Sequence, residues 1–461
     1  MDEAGLLQRA GLPADAAAWL AAAPAACGDL SGDADAFSRF WRAGAALKDR
    51  LPEKAKRSAA EQDAAALILG ACRAARERFL GVHGRAVYDL LTKARTSFLR
   101  VHALVYEAAR AVPGLTPTRD EVARESGRLQ RDKDGVEIDQ GLLLAHVLAD
   151  PAAGAHLCHA MLLPRAEAIA HFPELRRTGA LHLGAATVAR EGKAAVVTLR
   201  NPRFLNAEDA ATLDQQETAI DLAILDPQSE IAVLRGDMVE HAKYRGRRIF
   251  SAGINLTHLY HGRIPYIWYI ERDLGLVNKL YRGLAAPGAD PDELAGGTTE
   301  KPWIAAVDGF AIGGGCQLLL VMDYVLAAAD AYMTLPARKE GIIPGAANLR
   351  LARFTGGRIA RQAILYGRRL DCDSAEGRLV CDEVAPAGEM DRALARVIEN
   401  FTSSGVVSAA GNRRALRVGE EPLDLFRRYM AVYAREQAYC HFSPALIANL
   451  EQHWNAAQRR A

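Results

Sequence analysis

The stretch GFAIGGGCQ, residues 309–317, decides the fold of this chain. It follows an apolar run typical of a β-strand, WIAAV at 303–307, and opens an apolar run typical of a helix, LLLVM at 318–322. Three successive glycines at such a junction leave backbone N–H groups uncovered, so that a ligand can approach the main chain closely. A helix N-terminus also favours negative charge. The pattern therefore predicts half of an oxyanion hole and a reaction that passes through an enolate.

Two further stretches stand in an order that fits this motif. FSAGIN at 250–255 precedes it, and LP at 335–336 with GIIPG at 341–345 follows it. Together the three stretches resemble the signature of the crotonase (enoyl-CoA hydratase/isomerase) superfamily. The resemblance implies an α/β fold with a crotonase-like ββα spiral core. It also implies that the main-chain amides of Ile254 and Gly314 stabilise the oxygen of the enolate.

The departures from that signature concern the two carboxylates that hydratases use to hold and activate water. The superfamily pattern has a glutamate where this chain has Gln317 and a second where it has Ala337, and Glu340 lies three positions further on. Glutamine cannot take up a proton at neutral pH, and alanine has no polar group. We therefore expect the chain to keep the enolate-stabilising machinery and to lack simple enoyl-CoA hydration.

Composition and charge narrow the class of protein. A chain of 461 residues can bury a sizeable core and is expected to hold more than one domain. Its formal net charge of +1 argues against a nucleic-acid partner. The sequence shows no signal peptide and no uncharged stretch long enough for a membrane span. Seven scattered cysteines without a Cys-x-x-Cys pair indicate a reducing compartment, and we expect a cytoplasmic protein.

The hydrophobic pattern divides the chain into three parts. Residues 1–180 are rich in alanine, arginine and leucine at helical spacing, which predicts an all-helical N-terminal domain. Residues 181–400 form the crotonase-like core, and residues 401–461 return to helical spacing and predict C-terminal helices. Oligomer contact or a cover over the site is the expected role of the helical N-terminal part.

The core region alternates between strand and helix patterns. Strand runs at 194–199 and 230–236 flank a helical run at 207–225, which indicates a parallel sheet with crossover connections. Residues 353–400 fit the helices and the short β hairpin with which a crotonase core ends. The segment 258–283, which we expect to be helical, is dense in aromatic residues. These side chains either pack in the core or form a wall against an aryl substrate.

The segment 254–283, the helical N-terminal half and Gln317 together resemble a narrower family, the dioxygenases that act on 3,5-dihydroxyphenylacetyl-CoA without metal or flavin. The resemblance extends over essentially the whole chain. It implies that an arylacetyl-CoA thioester and O2 give 3,5-dihydroxyphenylglyoxylate and free coenzyme A, in the biosynthesis of dihydroxyphenylglycine for glycopeptide antibiotics. It also implies that no metal or organic cofactor takes part. Crotonases commonly form homo-oligomers, so a trimer or hexamer is expected.

The same resemblance implies roles for four side chains. Glu208 would accept a hydrogen bond from a ring hydroxyl or assist removal of the α-proton. Arg272 would donate to a ring hydroxyl, and Gln317 would contact a phenol or a peroxide. Ile342 would line the apolar pocket that admits O2. Each has an ordinary structural alternative. Glu208 could be a carboxylate that opens a helix. Arg272 could form a salt bridge with Glu271, Asp273 or another nearby acid. Gln317 could be a satisfied buried amide, and Ile342 could belong to the core.

Two clusters of side chains have open interpretations. Arg245, Arg247 and Arg248 precede the loop where crotonases seat the adenine, so they either contact the phosphates of coenzyme A or form a solvated rim. His258 and His261 are three positions apart, as are His156 and His159. Neither pair has a third ligand at a recognisable spacing, and we therefore expect no metal site.

Two other functions remain open on the sequence. The same fold could serve a hydrolase, isomerase or decarboxylase of an acyl-CoA. The chain could also be a non-catalytic acyl-CoA-binding subunit that lacks both glutamates.

Overall fold

The computed structural model describes residues 3–289, 297–404 and 407–459. The N-terminal part is helical, as the spacing of apolar residues predicted. Its helices are α1 (Glu3–Arg9), α2 (Asp15–Ala21), α3 (Leu30–Lys48), α4 (Ala59–Leu91), α5 (Val101–Ala111), α6 (Arg119–Ser126), α7 (Ile138–Ala149), α8 (Pro151–Leu162) and α9 (Ala166–Thr178).

The strands begin directly after α9. They are β1 (Ala180–His182), β2 (Ala186–Glu191), β3 (Ala194–Leu199), β4 (Ile231–Gly236), β5 (Leu284–Ala285), β6 (Thr298–Thr299), β7 (Trp303–Val307), β8 (Phe310–Ile312), β9 (Tyr324–Ala328), β10 (Tyr332–Thr334), β11 (Leu370–Asp371) and β12 (Glu383–Ala385).

Helices alternate with these strands and then close the chain. They are α10 (Leu213–Leu225), α11 (Leu256–Tyr260), α12 (Ile267–Glu271), α13 (Asn278–Arg282), α14 (Gly314–Leu319), α15 (Ala337–Glu340), α16 (Ala347–Arg361), α17 (Met390–Thr402), α18 (Val407–Glu420), α19 (Leu423–His441) and α20 (Pro444–Trp454). A π-helical turn, Arg272–Val277, joins α12 to α13, and a second, Gln362–Tyr366, follows α16.

The main sheet has the strand order β1-β2-β3-β4-β7-β9-β12. β1, β2 and β3 pair antiparallel, and the remaining neighbours pair parallel, with Val196 opposite Val233 and Val233 opposite Ile304. β4 and β7 are buried along their whole length because both faces of the sheet are covered. The smaller sheet, β11-β10-β8, leads into the glycine run. The predicted parallel sheet and the strands at 194–199 and 303–307 are confirmed.

Two details of the predicted core are wrong. β11 and β12 do not form a hairpin, since β11 pairs with β10 and β12 pairs with β9. Each strand thereby buries its apolar side chain, Leu370 or Ala385, on a different sheet. The helix expected from residue 207 begins at Leu213, because a turn closed by Thr212 Oγ1 and the N–H of Asp209 precedes it.

The described residues contain no single helix that is long and apolar enough to cross a membrane. One bent pair, α7 with residues 151–178, meets that test by length and composition, with an angle of 109° between its parts.

Glu421, between α18 and α19, ties the C-terminal helices to the core. Its side chain is fully buried and accepts two hydrogen bonds of 2.8 Å from Arg350 and one of 2.9 Å from Arg353. Removing one member of a buried charge cluster leaves the others uncompensated. Glu421→Gln is therefore expected to lower the free energy of unfolding by about 3 kcal/mol, measured by urea denaturation.

Glu389→Gln serves as the control, because the pair that Glu389 forms with Arg392 is exposed to solvent. A free energy of unfolding for Glu421→Gln equal to that of this control would contradict the structural role assigned to Glu421.

Candidate active site

The two stretches that the sequence predicted to cooperate lie side by side. Ser251 pairs with Ala311 of β8 in a parallel bridge, and the N–H of Ile312 donates to Ser251 O at 3.0 Å. Gly253 has a positive φ of 75°, and a Cβ at this position would lie 2.5 Å from Ile312 O and 3.0 Å from Gly314 N. Glycine is therefore required here, because only a residue without a side chain lets the two loops approach so closely.

This approach places two unused amides at one cavity. Among the described residues, the N–H groups of Ile254 and Gly314 donate to no protein acceptor. The neighbouring amides are occupied, since Gly253 N donates to Ser251 Oγ and Asn255 N donates to Glu208 O. Gly314 is the first residue of α14, so its N–H has no partner within the helix. Both residues line the same cavity.

The cavity is small, with a volume of about 30 Å³. This is roughly the space of one water molecule and far below the roughly 300–1,000 Å³ of small-molecule pockets. Ile342, Ile343 and Pro344 form one side of it, and Ile342 and Ile343 are only half-buried. A substrate with an aromatic ring therefore requires lining side chains to move outward, and these two isoleucines are the least confined of the apolar ones.

Arg272 is the centre of the polar side of the cavity. It is 3% exposed, and its Nε and Nη2 donate to the two carboxylate oxygens of Glu208, both at 2.9 Å. Nη1 donates to Gln317 Oε1 at 2.8 Å and to Asp273 Oδ1 at 3.2 Å, while Nη2 also donates to Gly314 O at 2.9 Å. All five N–H groups of the guanidinium are thus used. The structure therefore shows the ion pair considered as its alternative role, and a ring hydroxyl would have to replace one of these bonds.

Glu208 does not open a helix, so the helix-start alternative for it is wrong. It lies five residues before α10 and forms a bridge with Ile254 instead. A Cβ on Gly314 would come within 2.2 Å of Glu208 Oε2, so the absence of a side chain at Gly314 makes room for the buried ion pair. Glu208 thereby connects the two oxyanion loops, through its backbone on one side and through Arg272 on the other.

Among the described residues, only one end of the Gln317 amide has a hydrogen-bond partner. Because arginine only donates, the contact with Arg272 identifies the bonded atom of Gln317 as its oxygen. The Nε2 group forms no hydrogen bond within the described part of the chain, and Gln317 lines the cavity. The side chain therefore offers the cavity a neutral donor.

Consecutive residues Arg272 and Asp273 both line the cavity, one helical turn after Trp268 and Tyr269, and they begin the π-helical turn. Such turns are frequent at functional sites. Asp273 is 2% exposed, and burial raises the pKa of its carboxyl against the opposing effect of Arg272. The sequence analysis considered Asp273 only as a salt-bridge partner of Arg272.

Glu340 at the end of α15 also lines the cavity, next to Ala337, and burial raises the pKa of its carboxyl to about 7. A carboxyl whose pKa is higher in the folded state stabilises the fold when protonated, and this contribution is lost as pH rises from 4.5 through 7. Glu340→Gln cannot ionise. It is therefore expected to be more stable than the unaltered chain at pH 8 by about 3 kcal/mol, and the difference is expected to shrink at pH 5.

Urea denaturation of both proteins at the two pH values tests this expectation. A difference in unfolding free energy that is independent of pH would show that Glu340 does not titrate in this range.

The chain matches the model of the enoyl-CoA hydratase/isomerase family over residues 189–422. It belongs to this family. A relative from Amycolatopsis orientalis, named (3,5-dihydroxyphenyl)acetyl-CoA 1,2-dioxygenase, is 48% identical over 393 residues, which cover 85% of this chain and 89% of the relative. A short-chain-enoyl-CoA hydratase from Clostridium acetobutylicum is 28% identical and covers 52% of this chain and 83% of that protein.

Among solved structures, an enoyl-CoA hydratase from Mycobacterium avium subsp. paratuberculosis K-10 matches with a TM-score of 0.48 and 22% identity, over 58% of this chain and 98% of that one.

The segment 258–283 of this family member is dense in aromatic residues. Some of its side chains pack in the core and others line the cavity, and a wall against an aryl substrate stays a prediction. Tyr266 is fully buried and donates to Ala434 O at 2.6 Å, which is a packing role. Trp268 and Tyr269 line the cavity, and Tyr433 of α19 joins them there. The resemblance implied that the C-terminal helices either pack on a neighbouring subunit or close the site, but Tyr433 itself was not predicted, because nothing in the sequence pattern of α19 relates it to the glycine run.

The three arginines considered for coenzyme A do not line the cavity. Arg245 and Arg247 are exposed, and Arg247 forms an ion pair with Asp330 at 2.5 Å. Arg248 is half-buried and donates to Gly236 O at 3.3 Å. They lie on the segment between β4 and Phe250, which leads into the oxyanion loop, and a role with phosphates stays a prediction.

One histidine of each pair contacts a polar side chain. His258 Nδ1 lies 2.9 Å from Asp209 Oδ2, and His156 Nδ1 lies 2.8 Å from the hydroxyl of Tyr88. The described ranges contain no group of three or more His, Cys, Asp or Glu side chains placed to hold a metal ion.

Proposed function

We propose that this protein is a dioxygenase that converts 3,5-dihydroxyphenylacetyl-CoA and O2 to 3,5-dihydroxyphenylglyoxylate and coenzyme A. The observation that carries the proposal is the pair of free amides of Ile254 and Gly314 at a cavity where Gln317 and Ala337 occupy the positions of the hydratase carboxylates. Such a site can stabilise an enolate and lacks the two groups that would activate water. The 48% identity to a relative named for this activity supports the choice of substrate.

The chemistry begins at the methylene between the thioester carbonyl and the aromatic ring. Loss of one α-proton gives an enolate whose oxygen accepts hydrogen bonds from Ile254 N and Gly314 N. In other enzymes, one oxyanion donor contributes about 3 kcal/mol to the stability of the transition state. The enolate transfers one electron to O2, and recombination of the two radicals forms a peroxide on the α-carbon.

The peroxide then attacks the thioester carbonyl and expels coenzyme A as the thiolate. The second α-proton leaves as the O–O bond breaks, which gives the ketone and the carboxylate of the product. Both atoms of O2 and both α-protons are thereby accounted for, since one proton ends on the coenzyme A thiol and the other is released to solvent. Gln317 Nε2, which is free to donate, is suited to hydrogen-bond the peroxide or a phenol.

Further assignments belong to this proposal. Ile342 and its apolar neighbours form the side of the pocket through which O2 reaches the enolate. Glu208 and Arg272 hold the oxyanion loops and meet the ring hydroxyls when the pocket opens. Arg245, Arg247 and Arg248 contact the phosphates of coenzyme A, and the protein works without a metal or organic cofactor as a homo-oligomer in the cytoplasm.

Labelled O2 tests the proposal. Chelator-treated protein is supplied with 3,5-dihydroxyphenylacetyl-CoA and labelled O2, and the mass of the product is measured by mass spectrometry. Two labelled oxygens in the keto acid are expected, with one O2 consumed for each coenzyme A released. Coenzyme A release at the same rate without O2 would instead indicate a hydrolase. A requirement for added iron or flavin would contradict the proposed mechanism.

A further inference from the structure

One oxygen of Asp273 is left without a hydrogen bond at the cavity. Oδ1 accepts from Arg272, whereas Oδ2 is buried and has no partner within the described residues. Buried polar atoms are usually hydrogen-bonded, so an isolated carboxylate oxygen beside a cavity requires an explanation. Asp273 lines the same cavity as the free amides of Ile254 and Gly314.

Gly345 lies directly beside this oxygen. A Cβ on Gly345 would lie 2.6 Å from Asp273 Oδ2 and 2.4 Å from Gln317 Oε1, so a residue with a side chain here would displace one or both oxygens. Gln317 is three residues after Gly314 on α14, so both oxygens belong to the side of the cavity that holds the oxyanion loop. A substrate C–H that enters the cavity beside Asp273 Oδ2 meets an acceptor that has no other hydrogen bond among the described residues.

Of the two oxygens, only Asp273 can accept a proton, because an amide oxygen is not basic at neutral pH and Gln317 Oε1 already binds Arg272. Glu208 is not available, since Arg272 occupies both of its oxygens. Glu340 is the remaining carboxylate at the cavity. Among the described residues, it shares no hydrogen bond with Arg272 or with the oxyanion loops, whereas Asp273 is joined to Gly314 through Arg272.

We propose that Asp273 is the catalytic base that removes the α-proton. This inference rests on the proposed function and assigns one step of it. The C–H bond of the methylene breaks, its electron pair enters the enolate held by Ile254 and Gly314, and the proton moves to Asp273 Oδ2. The proton later passes to the coenzyme A thiolate as it leaves, which restores the carboxylate. Burial, which raises the pKa of this carboxyl, strengthens it as a base.

Asp273→Asn tests the assignment, because the amide keeps the size of the side chain and removes its basicity. Asp139→Asn is the matched control. Asp139, on α7, is also buried beside arginines, Arg73 and Arg76, and also has one oxygen without a hydrogen bond among the described residues. The steady-state kinetics are measured with ordinary and α,α-dideuterated 3,5-dihydroxyphenylacetyl-CoA, and the fold is checked by circular dichroism.

We expect Asp273→Asn to lower kcat at least 100-fold with KM within threefold of the unaltered protein, and to show a larger deuterium isotope effect on kcat. We expect Asp139→Asn to keep the kcat and KM of the unaltered protein. If Asp273→Asn fails to fold, the smaller Asp273→Ser is used in the same comparison. A kcat within fivefold of the unaltered protein, or a loss of kcat in Glu340→Gln that Asp273→Asn does not show, would overturn the assignment.

Exchange of the α-protons with D2O in the absence of O2 separates this inference from the proposed function. If the unaltered protein exchanges these protons and consumes no O2 in air, the dioxygenase proposal fails. Asp273 then remains the base if Asp273→Asn abolishes the exchange, and it loses that role if the exchange continues.

Discussion

Gly314→Ala is expected to lower kcat/KM at least 100-fold. The added methyl group would lie 2.2 Å from Glu208 Oε2 and 3.0 Å from Arg272 Nη2, inside a buried ion pair that has no room to yield. Either the pair separates or the start of α14 shifts, and both changes displace the Gly314 amide from the enolate oxygen. Loss of a single oxyanion donor costs about 100- to 1,000-fold in kcat in other enzymes.

The measurement is turnover of 3,5-dihydroxyphenylacetyl-CoA, with Gly70→Ala as the control. Gly70 is a helical residue of α4, and a Cβ at this position meets no atom within 4 Å. We expect the control to keep its activity. A kcat/KM of Gly314→Ala within fivefold of the unaltered protein would show that the Gly314 amide does not take part.

Arg272→Lys is expected to lower both activity and stability, although the charge is kept. A lysine ammonium has three donors and no planar fork, so it cannot hold Glu208, Asp273, Gln317 and Gly314 O together. A carboxylate that loses its hydrogen bonds to residue 272 stays buried without compensation. We therefore expect the free energy of unfolding to fall by about 3 kcal/mol. We expect kcat/KM to fall at least 100-fold, since the Gln317 amide and the oxyanion loop lose their common anchor.

Urea denaturation and turnover are measured together for this variant. Arg392→Lys is the control, because Arg392 is exposed and its pair with Glu389 lies at the surface. Full activity in Arg272→Lys would mean that Arg272 is needed only for folding. Unchanged stability would contradict the role of the buried network.

The sequence predicted the parts of the fold that local patterns determine. The strands at 194–199 and 303–307 are apolar runs with turn residues beside them. The glycine run marks the start of α14. The family and the kind of site followed from three short motifs in the correct order. The start of α10 was missed because the apolar pattern does not reveal the turn between Asp209 and Thr212. The pairing of β11 was missed because its partner, β10, lies far away in the sequence.

The hydrogen-bond network on the polar side of the cavity could not be predicted from local patterns either. Glu208, Arg272 and Gln317 were each singled out from the resemblance, but the network they form could not be predicted from spacing. Asp273 lies on the same helical face as Tyr269, but the pattern of apolar residues does not show that this face lines a cavity. Tyr433 comes from a helix that lies more than a hundred residues beyond the glycine run.

The position of Tyr433 has a consequence during synthesis. α19 packs against α7 and α8 of the helical half, and Tyr429, one turn before Tyr433, donates to Gly345 O. A nascent chain that has left the ribosome only as far as α14 lacks this helix, so its oxyanion loops are still open to water. Oxygen-reactive intermediates are therefore shielded only once α19 has been made and has docked.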